Sequence, residues 1–129
     1  MSDVLMPISY RIDRQLRIIF TTAHGILTDD ELLAHKHRLM RDPNFEAGMV
    51  ELSDIRGVDQ LAVTSEGVRR FVEQDRLDAD RLGTYKLAIV AHQDVVFGMA
   101  RMYETLTGEN RPAVAVFRNM GEAKAWLAI

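Results

Sequence analysis

The chain contains no cysteine, so disulfides, thiolate metal sites and a thiol nucleophile are all excluded. Proline is scarce, at 3 in 129 residues, and no Pro/Gly/Ser-rich stretch or internal repeat divides the sequence; a single domain over residues 1–129 is expected. Positive charge is not in excess. Sixteen Lys and Arg face nineteen Asp and Glu, a net charge of −3, which argues against a nucleic-acid partner held by a basic surface. No window approaches the roughly 18 apolar residues of a membrane span, and the first thirteen residues lack the apolar stretch of a secretory leader. A cytoplasmic protein is the expectation. What is present is ordinary for a folded domain: 47% hydrophobic and 27% charged residues, in a chain long enough to bury about two-thirds of its unfolded surface.

Hydrophobic periodicity supplies the elements. Ile8, Tyr10 and Ile12 alternate with polar residues, the period of a half-exposed strand, and a turn at Asp13-Arg14-Gln15 leads into a β-branched run over 16–23. The two make a hairpin with the first strand at the sheet edge, and self-association there as a symmetric dimer is a further expectation. Thr28 to Glu31 forms a capping box, flanked by Leu27 and Leu32 as a hydrophobic staple, and the helix it opens stops before Asp42-Pro43. A third strand follows over 49–53. The next helix is capped by Thr64 or Ser65, with Val68, Phe71 and Val72 inward. Nearly continuous apolar sequence over 85–91 predicts a central strand, and 95–107 a helix closed by Gly108. Residues 113–117 and 122–128 complete the chain as a strand and a helix anchored by Trp126 and Leu127. The order β-β-α-β-α-β-α-β-α specifies an α/β fold with a mostly parallel five-stranded sheet and an antiparallel N-terminal edge strand.

In such sheets ligands bind beyond the carboxyl ends of the strands. On these boundaries the ends carry His24, then Asp54 and Arg56, then His92, then Arg118. Three readings stay open. These side chains simply face water; or they form a pocket for a polar or anionic small molecule, with Arg56 and Arg118 as forked donors; or His24, Asp54 and His92 make a catalytic or metal site. His35 and His37, two apart on a helix, point in different directions and are read as a solvated face. Lys36 falls inside the stripe of Leu32, Leu33, Leu39 and Met40, either snorkelling to water or bordering a pocket where it meets an anion. Glu51, mid-strand, is either paired, near a sheet edge, or a catalytic acid. Phe97, Met99, Met102 and Tyr103 read as core packing. Neither a dinucleotide or P-loop glycine motif nor a G-x-S-x-G elbow is present, and no cofactor is expected.

Five stretches carry a resemblance: AHGILT at 23–28, VELSDIR at 50–56, KLAIV at 86–90, FGMARMY at 97–103, and VFR at 116–118 running on to EAKAWL at 122–127. Together they resemble the STAS fold of SpoIIAA-like anti-sigma-factor antagonists, and more closely the small bacterial STAS/SEC14-like family. The resemblance spans nearly the whole chain and is structural rather than catalytic. It implies a non-enzymatic regulatory or binding module, taking a small molecule or a protein partner. In the antagonist branch a serine in a D-S-S-G helix start is phosphorylated. Here TSEG at 64–67 stands in its place, which makes Ser65 the candidate acceptor, although Thr64 replaces the aspartate and Glu66 the second serine. The SEC14 side implies a lipid or other apolar ligand held between helices and sheet. The resulting order of expectations is a binding module acting through the strand-end rim, then an apolar-ligand carrier, then an enzyme.

Overall fold

The computed structural model describes residues 7–109 and 112–129. Strands β1 (Ile8–Asp13) and β2 (Ile18–Thr28) form the antiparallel hairpin, with Ile8 opposite Ala23 and Asp13 opposite Ile18. Helix α1 (Asp29–Arg41) leads to β3 (Val50–Ala62), parallel to β2. Helix α2 (Ser65–Leu77) and a short α3 (Ala79–Leu82) precede β4 (Lys86–Val90); α4 (Asp94–Thr107), β5 (Ala113–Phe117) and α5 (Met120–Leu127) follow. The five strands lie in sequence order, β1-β2-β3-β4-β5, and every pair after the first is parallel.

The local signals act as expected. Thr28 accepts from the Glu31 amide at 3.2 Å, and Thr64, not Ser65, caps α2 by accepting from the Gly67 amide at 3.0 Å. Side-chain alternation divides the sheet into two faces. Thr21, Glu51, Ser53, Leu87 and Ile89 face α1, α2 and α4 across the larger core. Leu52, Ala88 and Val90 face the other way, onto Ala123 and Leu127 of α5.

Apart from shifts of one or two residues, three differences from the sequence reading stand out. Helix α3 is additional, and α5 begins at Met120 because Asn119, accepting from the Glu122 amide at 2.8 Å, is its cap. The third difference matters for function: β2 and β3 do not end near Ala23 and Ser53. They run on, paired with each other, to Thr28 and Ala62, well past the last β4 partner of β3 at Asp54. Gly25, at φ +74, sits at a register shift inside β2, where an L side chain would be strained. Gly57 lies so close to β2 that a Cβ would come within 3.0 Å of the Ala23 carbonyl and the His24 Cβ. Both glycines resemble strand ends in sequence, yet they permit a bulge and a close approach. Leu27, Ile55 and Val58 on this extension are buried in the larger core, which holds the ribbon in place.

Candidate functional site

The larger core does not close completely. A cavity of about 80 Å³ lies between the sheet and helices α1, α2 and α4. Its α1 wall is a single stripe, Leu32, His35, Lys36 and Leu39, at the i, i+3, i+4, i+7 spacing of one helix face. Ala23, Glu51 and Ile89 come from the floor of the sheet, Val68 and Phe71 from α2, and Met99, Ala100 and Tyr103 from α4. Almost every lining residue is buried. The exceptions are Leu32, Phe71 and Met99, one from each helix, so the way to solvent runs between the three helices.

Two polar clusters are set into this apolar wall. In the first, Glu51 is 4% exposed and accepts from Thr21 Oγ1 at 2.6 Å and from the Tyr85 hydroxyl, while His35 Nε2 stands 3.6 Å from its Oε2. Burial works to raise the Glu51 carboxyl. The His35 imidazole, with the Thr21 and Tyr85 hydroxyls, outweighs it and holds the group below its ordinary value. In the second cluster Lys36 Nζ is paired with Asp75, which also accepts from the Tyr103 hydroxyl at 2.5 Å; the ammonium lies 4.8 Å from the Phe71 ring centroid. Here burial prevails: Asp75 is pushed above the ordinary carboxylate range despite Lys36 and Tyr103, which act to lower it. Burial first, and then the neighbouring carboxylates, also push Tyr85 and Tyr103 well above the usual phenol value.

His35 Nδ1 is buried without a hydrogen-bond partner among the described residues. The His35 ring meets Tyr10 edge-on, with centroids 5.6 Å apart. The solvated-face reading therefore holds only for His37, which is exposed; His35 points inward beside Lys36. Of the alternatives for Lys36 and Glu51, the structure selects the pocket-bordering lysine that meets an anion and the paired carboxylate. Asp75 was not singled out in sequence, although it continues the Val68, Val72 spacing on the inner face of α2. Tyr103, read as packing, is also a hydrogen-bond donor.

The strand-end residues separate into pairs. Arg56 grips Asp54 through two side-chain bonds, Nε to Oδ1 at 2.8 Å and Nη2 to Oδ2 at 2.9 Å, and these bonds draw the Asp54 carboxyl below its ordinary value. Arg118 bonds Asp94 at 2.9 Å and the His92 carbonyl at 3.0 Å, and its guanidinium lies 4.2 Å from the centroid of Phe97. His24 is exposed within β2, opposite Gly57. No hydrogen bond or ion pair among the described residues links these groups into one cluster, and no three His, Asp or Glu side chains are grouped to hold a metal ion. Ser65 opens α2, exposed, its neighbour having taken the capping role. No described helix is long and apolar enough to cross a membrane.

No family model matches the chain, and no curated protein matches it. Among solved structures it is similar to an uncharacterized DUF3478-family protein with a SpoIIAA-like fold from Shewanella loihica PV-4. The TM-score is 0.58 at 16% identity, over 93% of each chain. At that identity the likeness concerns the fold: a SpoIIAA-like α/β domain, with the antiparallel hairpin at one edge of an otherwise parallel sheet.

Proposed function

We propose that the chain is a non-enzymatic binding module whose site is the cavity between the sheet and α1, α2 and α4. Its ligand is a small molecule with a largely apolar body. The observation that supports this reading is the placement of His35, Lys36 and Glu51, all buried, in a largely apolar wall with a way out between Leu32, Phe71 and Met99. Burying charge is costly, and apolar residues of the same volume would often stabilise a core as well or better. A buried carboxylate beside a cavity, held away from its ordinary value by its neighbours as Glu51 is, is one feature that binding sites share.

Size sets the class of ligand. A cavity of about 150 Å³ takes a benzene, so about 80 Å³ holds a molecule of a few non-hydrogen atoms. A whole acyl chain exceeds it, which narrows the carrier reading to short ligands or to a short group with its tail leaving between the helices. The strand-end rim offers less: an anion there would have to displace Asp54 from Arg56 or Asp94 from Arg118.

Xenon, which enters small apolar cavities, tests the site. The Ala23 and Ile89 methyl resonances should shift saturably under xenon, and Ala100→Leu, which places three more carbons in the cavity, should remove the response. Absence of a saturable shift in the unmodified protein would overturn the reading.

A further inference from the structure

We infer that the cavity recognises the oxygen of a carbonyl group, and that Ser53 on β3 donates the hydrogen bond that holds it. The inference rests on the proposed cavity site and adds the chemistry of its polar contact. Six polar side chains line the cavity: Thr21, His35, Lys36, Glu51, Ser53 and Tyr103. Five of them are committed to one another or to Asp75. Thr21 donates to Glu51 and His35 Nε2 faces the same carboxylate, while Lys36 and Tyr103 both meet Asp75. Ser53 is the exception, because its hydroxyl makes no hydrogen bond among the described residues.

Ser53 Oγ also has surface to offer. The fully buried side-chain polar atoms without a partner among the described residues are His35 Nδ1, Arg38 Nη2 and Thr107 Oγ1, and none of these is within a ligand's reach. Ser53 Oγ is unbonded but not one of them, so it is open to space. The residue is 8% exposed, lies between Thr21 of β2 and Ile89 of β4, and faces the larger core; the space its oxygen opens on is the cavity.

A hydroxyl left in such a wall lacks an acceptor above all. The carbonyls around Ser53 belong to paired strands and point along the sheet, away from the side chain. A carbonyl oxygen accepts the Ser53 proton and brings no proton of its own. An alcohol or amine does bring one, and the carboxylates of the wall already hold their donors. An ammonium would share the wall with Lys36, and a carboxylate with Glu51. With about 80 Å³ available, the class is a short aliphatic ketone, or the carbonyl group of a longer uncharged molecule.

Probes matched in size and shape separate the possibilities: butanone, 2-methyl-1-butene, 2-butanol, sec-butylamine and propionate. Each is titrated into the intact chain and into Ser53→Ala while the Ala23 and Ala100 methyl signals are followed by NMR. Ser53→Ala should weaken butanone about fivefold, the worth of one hydrogen bond, and leave the alkene unchanged. The carbonyl carbon of labelled butanone should stay near its aqueous shift when bound to the unmodified protein, and move toward its value in an alkane in the variant. Having lost no internal partner, Ser53→Ala should melt no lower than the unmodified protein. Butanone binding indifferent to Ser53→Ala, a larger loss for the alcohol or either ion, or a lowered melting temperature overturns carbonyl recognition. Each leaves the cavity reading standing while the alkene still shifts the methyls. No methyl shift with any probe overturns both.

Discussion

A lysine on the inner face of a helix ordinarily lays its methylenes on apolar surface and keeps its ammonium in water. Lys36 does not: it is 4% exposed, and α2 places Asp75 against it at 1% exposure. The Tyr103 hydroxyl takes the second carboxylate oxygen, so removing the lysine leaves a buried carboxylate with a single neutral donor. Breaking a buried pair from one side costs roughly 3–5 kcal/mol, while replacing both charges together is often close to neutral. Lys36→Met should thus destabilise the fold by about that amount in urea unfolding. Lys36→Met combined with Asp75→Asn should recover most of the loss, since the asparagine oxygen still accepts from Tyr103. A double variant as unstable as the single one would show that the lysine acts by packing and not by charge.

At the scale of elements, the starts of α1 and α2 are tied together by one side chain. Asp29, the first residue of α1, accepts from the Thr64 amide at 2.8 Å and from Thr64 Oγ1 at 2.6 Å; Thr64 in turn caps α2. Gly67 packs against that carboxylate so closely that a Cβ would overlap it. Helix propensity alone favours Gly67→Ala by about 1 kcal/mol. The contact reverses the sign, because Asp29 must swing away and lose its two exposed bonds to Thr64, each worth about 1 kcal/mol in solvent. Gly67→Ala is expected to lower the melting temperature, and the same change in an Asp29→Ala background to raise it. These helix starts were legible in sequence, since a cap and the residues it serves lie within one turn. The ends of β2 and β3 were not, because a glycine that makes a bulge and one that ends a strand look alike without the neighbouring strand. The site was half legible. Lys36 betrayed itself within an apolar stripe, but counting Leu33 and Met40 in that stripe turned its centre away from His35. Which α2 residue would oppose Lys36 depends on how the helices pack, and no local pattern states that.

At the scale of the molecule, the buried charges among the described residues are confined to one layer. His35, Lys36, Glu51 and Asp75 all lie on the side of α1, α2 and α4, while the cluster under α5 consists of Leu52, Ala88, Val90, Ala123 and Leu127. The acid–base dependence of folding should therefore originate mainly in that layer, with contributions of opposite sign. Glu51 is held below its ordinary value in the fold, so below about pH 4.3 the unfolded chain takes up its proton first. That stabilisation is complete above the unfolded value and disappears as pH falls through the folded one. Asp54 acts in the same direction, but it is partly exposed and screened, so its share is smaller. Asp75 is displaced upward, so above about pH 3.9 the folded chain keeps a proton that the unfolded chain has released. Its contribution falls as pH rises through that window. Unfolding free energies measured from pH 3 to 7 should show both limbs. Glu51→Gln should flatten the acid limb only, and Asp75→Asn should remove the decline above pH 4 while leaving the acid limb in place. If the decline persists unchanged in Asp75→Asn, the carboxylate facing Lys36 is not its source.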